Sequence, residues 1–254
     1  CTRGIHLVNA QVIRTIRVIL PNDVRLIWRD GFLLTFLIVV TPLAGLCMHW
    51  LVPLVGDLVA QFVDLEPYYG LILANLLVAG EPVLLGFVIG MLFVEERDEG
   101  TLLALQASPL SLRTFVGYRL LVAMLLNVLL TMIAVLLADL VSISWLALFT
   151  TAAIASLTVP IVALVYAVFM KNKVQALMLL KPVQIWGFVP TLFFFVPTPW
   201  EWIGSVLGPL YYPMRLFWGA TQGQAEWWVM VPGAIVPGVA IVWLLHRLER
   251  TVYT

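Results

Sequence analysis

Five ionisable residues in a row, Glu95-Glu96-Arg97-Asp98-Glu99, form the densest charge cluster of a 254-residue chain that holds 14 acids, 14 Lys or Arg and three histidines in all. Four carboxylates and one guanidinium in succession make an electrostatic surface, not a catalyst. No nucleophile with a base beside it accompanies them, and no His/Glu group stands at metal-ligand spacing. The other candidates are isolated. Glu81 stands in an apolar run, within Ala79-Gly80-Glu81-Pro82, and Lys181 precedes Pro182 in another. An ionisable group inside such a run marks a path for cargo or protons, or else a structural pair or cap. By helical rise, Glu81 lies roughly 20 Å and Lys181 roughly 12 Å from the same end of their runs, so a pair between them must bridge about 8 Å. His6, His49 and His246 are scattered, without the spacing of a haem or metal site. The expected set thus has no catalytic residue and no metal, with Glu81 and Lys181 as transport-path candidates.

The elements that carry these residues follow from composition. The chain is 62% hydrophobic and 11% charged, with a mean hydropathy of +1.03, whereas soluble domains carry about 25% charged residues. This is the composition of a polytopic membrane protein. A formal net charge of zero gives no basis for a nucleic-acid partner. Two cysteines, Cys1 and Cys47, make neither a disulfide framework nor a metal cluster.

A helix needs about 20 mostly apolar residues to cross a bilayer. Six segments meet that length: 32–54, 68–94, 115–138, 145–170, 174–196 and 227–245. Arg3, Arg14, Arg17, Arg25, Arg29, Arg97, Arg113, Arg119, Lys171, Lys173, Arg247 and Arg250 all fall on one side of these spans. The bias of Lys and Arg makes that side cytoplasmic. Both termini are then cytoplasmic, as an even number of spans requires, and the chain is a multi-pass protein of the cytoplasmic (inner) membrane. Residues 5–28 alternate apolar faces with arginines and are interrupted at Pro21-Asn22-Asp23. They read as an amphipathic helix in the interface, so residues 1–30 form an interfacial element. Residues 197–223, between spans 5 and 6, hold Trp200, Trp202, Tyr211, Tyr212 and Trp218. They read as one or two short helices on or dipping into the outer leaflet, broken at Gly208-Pro209 and Tyr212-Pro213. The fold class is an all-α membrane protein of six transmembrane helices, a single transmembrane domain over residues 1–254.

The charged run follows span 2. Gly100-Thr101 can end one helix and begin another, with Thr101 as the N-cap. Leu102, Leu103 and Leu105 add a short apolar face, and Ser108-Pro109 is a second helix start. A loop that only kept itself soluble would need the acids but not the leucines or the caps. The expectation is a short helix whose acids and leucines dock a cytoplasmic partner, through Glu95, Glu96, Asp98, Glu99, Gly100, Thr101, Leu102, Leu105 and Pro109.

The stretch Glu96-x-x-x-Gly100-Thr101-x-x-x-Leu105-x-x-x-Pro109, placed after a second span, resembles the turn of ABC-2 type transporter permeases, where it forms a coupling helix seated on an ATP-binding subunit. An interfacial N-terminal helix, six spans and short helices in the last outer loop follow the same order over nearly the whole chain. The resemblance implies a division of labour. Two copies of an ABC ATP-binding subunit bind ATP and Mg, and this chain holds no cofactor of its own. A second permease, identical or homologous, completes the transporter, and spans 1, 2 and 5 shift at the interface between the two. The sequence agrees in lacking a G-x-x-x-x-G-K-[ST] phosphate loop.

The expected function is the permease subunit of an ATP-driven ABC-2 type exporter of drug, antibiotic or lipid-like cargo, apolar or amphipathic because the spans are so poor in charge. The alternatives are a proton-coupled secondary transporter working through Glu81, or a non-transporting subunit of a membrane complex. The topology has its own test. Cysteines introduced at Gly4 and Thr251 should be shielded from an impermeant thiol reagent in intact cells, while one at Asp64 should react. Labelling of the Thr251 position from outside would remove the six-span arrangement.

Overall fold

Inside a bilayer the backbone has no water to bond, so each spanning segment must satisfy its own N–H and C=O groups, and a helix does so without help from another segment. The computed structural model describes residues 39–99, 112–196 and 208–253. Among these the regular structure is entirely helical, and six helices are long and apolar enough to cross a membrane. They are α1 (Thr41–Val59), α2 (Glu66–Asp98), α3 (Leu112–Ala138), α4 (Trp145–Phe169), α5 (Lys173–Phe195) and α7 (Met230–Tyr253, entered through a 3-10 turn at Trp227–Val229). A shorter helix, α6 (Tyr211–Thr221), lies between α5 and α7. Residues 42–254 form one compact unit; the preceding unit, Cys1–Thr41, is described only from residue 39. The expected interfacial helix of residues 1–30, the turn at 100–111 and the outer segment 197–207 lie outside the described residues.

The helices are not equivalent. The apolar stretches of α2 and α4 are 72% and 78% buried, those of α1 and α5 only 11% each. α2 and α4 run in the same direction and pack along their length. Small residues let them approach: a Cβ at Gly86 would lie 2.7 Å from that of Val162, and one at Gly90 would lie 2.6 Å from that of Tyr166. Toward the end that carries Glu95–Glu99, hereafter the charged end, Phe93 of α2 belongs to one apolar cluster with Leu112, Val116 and Leu120 of α3, Leu164 and Val168 of α4, and Leu244 and Leu248 of α7. At the opposite, aromatic end, Ile154 of α4 packs with Tyr211, Tyr212 and Leu216 of α6 and with Val229.

Both central helices are irregular near their middles. α2 passes through a π-helical turn at Ala74–Ala79 before resuming as an α-helix at Gly80. Pro82 has no N–H, so the Val78 carbonyl loses its usual donor, and the wider turn falls where the ladder is interrupted. The chain stays helical through Gly80-Glu81-Pro82, so the expected kink or break takes the form of a π turn. α4 is interrupted once, at Leu157, and resumes with Thr158-Val159-Pro160. Ser144 caps its start by accepting from the Ala147 N–H at 3.3 Å. α1 is tied to the end of α3, where His49 Nδ1 donates to the Ala138 carbonyl at 2.8 Å. The next residue, Asp139, turns the chain at φ 45°, a left-handed conformation that a short polar side chain tolerates.

Three boundaries and one placement depart from the sequence expectation, the first being α7, which runs to Tyr253, past the expected limit at 245. Residues 95–98 are the last turn of α2, past the expected end of span 2 at 94. α1 continues to Val59, past the expected limit at 54, with Pro53 inside it. α6 does not lie on a surface: Tyr211, Tyr212, Met214, Leu216 and Phe217 are buried, against α2, α4 and α7. Pro213 does not break it but sits in its first turn, where a missing N–H costs nothing. The polar side of α6 is neutralised internally. Arg215 forms a forked bond to Glu226 at 2.9 and 3.2 Å and donates to the Tyr211 hydroxyl at 2.6 Å, and Glu226 also accepts from the Trp228 indole at 2.9 Å.

The α2–α4 contact predicts a contrast between two glycines. Gly90→Ala forces apart two packed helices and should cost about 1–3 kcal/mol. At Gly117, on α3, an added Cβ meets nothing within 4 Å, so Gly117→Ala should be neutral or stabilise by about 0.5–1 kcal/mol through the helix preference of alanine. Denaturant titration of the two purified variants measures the difference.

Candidate functional site

The last turn of α2 reaches three other helices through consecutive side chains. Arg97 donates through Nη1 to the Ala167 carbonyl at 2.9 Å and through Nη2 to the Met170 carbonyl, capping α4 where its last carbonyls lack intrahelical donors and its dipole is negative. Glu96 pairs with Arg119 of α3, both largely buried, and the Arg119 guanidinium lies 4.6 Å from the centre of the Phe115 ring. Glu95 accepts from Lys173 at 2.5 Å, tying α2 to the first residue of α5. That start is itself fixed by an exchange of caps: Asn172 Oδ1 accepts from the Gln175 N–H at 2.9 Å, and Gln175 Oε1 accepts from the Lys171 N–H at 3.1 Å.

The sequence reading takes Glu95, Glu96, Asp98 and Glu99 as one acidic surface, and the structure divides them. Glu95 and Glu96 hold helices together, while Asp98 and Glu99 are exposed. α2 ends at Asp98 with Glu99 as its C-cap, the Glu99 N–H bonding the Glu95 carbonyl at 2.9 Å. Gly100, Thr101, Leu102, Leu105 and Pro109 lie outside the described residues.

The transport-path candidates are not brought together. Glu81 is buried in α2 and Lys181 is exposed on α5, and no ion pair joins them. The space between α2 and α5 is lined by other residues. A cleft of about 590 Å³ toward the aromatic end is bounded by Tyr68, Ile72, Asn75, Leu76, Phe188, Thr191 and Phe195 among others. A second, of about 180 Å³, lies nearer the middle, against Asn75, Leu76, Ala79, Gly80, Val83, Leu84, Gln184, Gly187 and Phe188. Glu81 lines neither. Asn75, on the π turn, donates through Nδ2 to the Thr191 hydroxyl of α5. The sequence marks Asn75, Asn127 and Gln184 as polar groups within spans able to bond a neighbouring helix. Asn75 does so; Asn127 reaches Thr131 of its own helix at 3.4 Å, and Gln184 faces the smaller cleft. Thr191 and Phe188 were not marked, since a threonine and a phenylalanine in an apolar run carry no signal until the opposite helix is known.

Six helices long and apolar enough to cross a membrane, two of them the buried α2–α4 pair, define an integral membrane protein with an apolar cleft at one side and exposed acids at one end. The chain belongs to the family described as fluoroquinolones export permease protein Rv2686c-like, whose model matches residues 23–246. Two similar proteins are the fluoroquinolones export permease protein MT2760 of Mycobacterium tuberculosis (strain CDC 1551 / Oshkosh) and the fluoroquinolones export permease protein Rv2686c of Mycobacterium tuberculosis (strain ATCC 25618 / H37Rv). Each is 29% identical over 237 residues, which cover 90% of this chain and 91% of the relative. No solved structure matches the chain. The membership agrees with the resemblance to ABC-2 type permeases and makes the chain a multi-pass membrane transport protein.

The division of the acids has a measurable consequence. Glu96→Gln leaves the Arg119 charge, which is largely shielded from water, without its carboxylate, and should destabilise by about 1–3 kcal/mol. Asp98→Asn, at an exposed position, should change stability by less than about 0.5 kcal/mol. Adding Arg119→Gln to Glu96→Gln should cost less than the two single changes summed. Thermal unfolding of the purified variants decides; equal effects at Glu96 and Asp98 would contradict the assignment.

Proposed function

We propose that this protein is the permease subunit of an ATP-driven ABC-2 type exporter. In this reading the charged end faces the cytoplasm, and a separate ATP-binding subunit, in two copies, docks there and binds ATP and Mg. A second permease, identical or homologous, completes the transporter. The cargo is apolar or amphipathic. The relatives' names point to fluoroquinolones, and the scarcity of charge in the spans supports that class.

The observation that carries the reading is the arrangement of the last turn of α2. Asp98 and Glu99 are exposed where the chain leaves the bundle, while the three charged residues before them grip α3, α4 and α5. A partner that seats on the exposed acids and on the following turn therefore pulls on a point fastened to three spans. When the ATP-binding subunits close, the displacement passes through Glu96 to α3, through Arg97 to the end of α4 and through Glu95 to α5. A proton-coupled transporter would draw on the buried Glu81, and that residue lines neither cleft, so the ATP-driven reading is preferred.

The test separates docking from folding. Exposed ion pairs contribute about 0.2–1 kcal/mol each, so Asp98→Asn alone should leave the partner bound. Asp98→Lys with Glu99→Lys adds repulsion to lost attraction and should strip the ATP-binding subunit on purification. Leu102→Ser with Leu105→Ser should do the same by removing the apolar contact. Both double variants alter no span, so their amounts in the membrane should match the parent. Retention of a cargo-stimulated ATPase by both would overturn the reading.

A further inference from the structure

The charged end is divided by sign. Glu95, Asp98 and Glu99 lie close enough to Lys173 for their charges to act on it, so the acids gather on the side of α5. The side formed by α3, α4 and α7 carries cations instead. Arg113 stands at the start of α3, and His246, Arg247 and Arg250 stand in the last turns of α7, all exposed. Two of them are fixed by neighbours. Arg113 donates through Nη2 to His246 Nδ1 at 3.2 Å, which joins α3 to α7. The Arg247 guanidinium lies 5.9 Å from the ring centres of both Trp243 and Phe169, the last residue of α4. Arg250 follows His246 by four residues and Arg247 by three, so it shares their face one turn further out. Glu249 is the single acid in the sequence of α7. The same face continues inward as an apolar surface. Val231, Ile235, Val239, Val242 and Trp243 are exposed and lead to His246 and Arg247 at helical spacing, while Leu244 and Leu248 on the opposite side are buried. In a bilayer such a stripe lies against acyl chains, and an interfacial Trp marks the depth where the chains give way to phosphates. Beside it the helices leave room. An added Cβ at Gly117, one turn inward of Arg113, or at Gly238, two turns inward of His246, would meet nothing within 4 Å.

We propose that the charged ends of α3 and α7 bind one anionic phospholipid, its headgroup among the guanidiniums of Arg113, Arg247 and Arg250 and an acyl chain along the groove beside Gly117. A guanidinium presents a planar fork that matches the oxygens of a phosphate. The rings of Trp243 and Phe169 hold the Arg247 fork in place, and Arg113 keeps further N–H donors after its bond to His246. Selectivity follows from net charge. A zwitterionic lipid has the same phosphate but brings its own cation, which the cluster repels, whereas an anionic headgroup is attracted by every basic residue near it. A free phosphate would make no use of the apolar stripe that leads to the cluster, so the lipid is the occupant the surface fits. Bound there, the lipid fastens the start of α3 to the end of α7. The inference rests on the exporter reading only for its leaflet: with the charged end in the cytoplasm, the lipid belongs to the inner one.

The experiment titrates the purified full-length permease, in mild detergent, with phosphatidylglycerol and with phosphatidylcholine of the same chains, and counts the first bound lipid by native mass spectrometry. The unaltered protein should hold phosphatidylglycerol about tenfold more tightly than phosphatidylcholine. One basic residue near an anionic headgroup is worth about a fivefold change in affinity, so Arg247→Gln should weaken phosphatidylglycerol about fivefold and Arg113→Gln with Arg247→Gln roughly 25-fold. Lys181→Gln removes an exposed cation from α5 and should leave the affinity within about twofold. Gly117→Leu keeps every charge and fills the groove, and should weaken binding by about threefold or more. If Arg247→Gln fails to accumulate, Arg250→Gln and the lipid preference of the unaltered protein decide. Equal binding of the two lipids, or equal losses from Arg247→Gln and Lys181→Gln, would overturn the site. Displacement of the lipid by glycerol phosphate, which has no chains, would make it a site for free phosphate. Loss of the ATP-binding subunit from Arg247→Gln with lipid binding intact would assign the cations to that partner. Either result would overturn the lipid proposal. The exporter reading fails separately: labelling of a cysteine at Thr251 from outside the cell would reverse the orientation and leave lipid binding by the purified protein unchanged.

Discussion

Apolar side chains gain nothing by leaving lipid for one another, so helices in a bilayer hold together by how closely they can pack. In this protein the most extensive close packing is between α2 and α4, where an added Cβ at Gly86 or Gly90 would fall 2.7 or 2.6 Å from Val162 or Tyr166. The rest of the bundle is organised about that contact. α3 and α7 complete the buried layer at the charged end, α6 fills it at the aromatic end, and α1 and α5 are added at the edge. The irregularities of α2 and α4 are carried by the two most buried helices, where neighbouring side chains are close enough to absorb the lost backbone bonds.

The polar interactions that matter are between helices and far apart in sequence. Arg119 is 23 residues from Glu96, Lys173 is 78 from Glu95, and Thr191 is 116 from Asn75. These links place α2 in direct polar contact with α3 and α5, and Arg97 adds α4, while its own backbone remains helical throughout. α5 touches the bundle lightly and is fastened at two levels, by an ion pair at the charged end and a hydrogen bond toward the aromatic end, with the cleft between helices lying beside the second.

This explains what could be read from residues alone. The six spans were legible because length and hydropathy are local: 115–138 and 145–170 were placed within three residues of α3 and α4 at each end. The end of span 2 was not, because an apolar span was ended where the charges begin, whereas α2 continues to Asp98 with Glu95, Glu96 and Arg97 held by α5, α3 and α4. The same limit kept the interhelical partners of Glu95 and Glu96 out of the sequence reading. Tyr211 and Tyr212 were taken for residues at headgroup depth, which their type favours. They are buried because Arg215 and Glu226 neutralise the polar side of α6, a pairing whose geometry exists only once the helix has turned back. Asn75 stood out as a polar residue in a span, but its partner and the cleft could not, since both depend on how α2 and α5 are rotated against each other.

The light burial of α5 divides the molecule's tolerance to change. Substitutions along α2 and α4 are screened by close packing, and those at Gly86 or Gly90 are met at once by another backbone or side chain. Residues of α5 that face the cleft, such as Gln184 and Phe188, adjoin empty space rather than a packed neighbour. Their identities can therefore drift with little penalty to folding. Over evolutionary time the shape of the cleft is adjustable from one wall, while the other wall, built into the core, stays fixed.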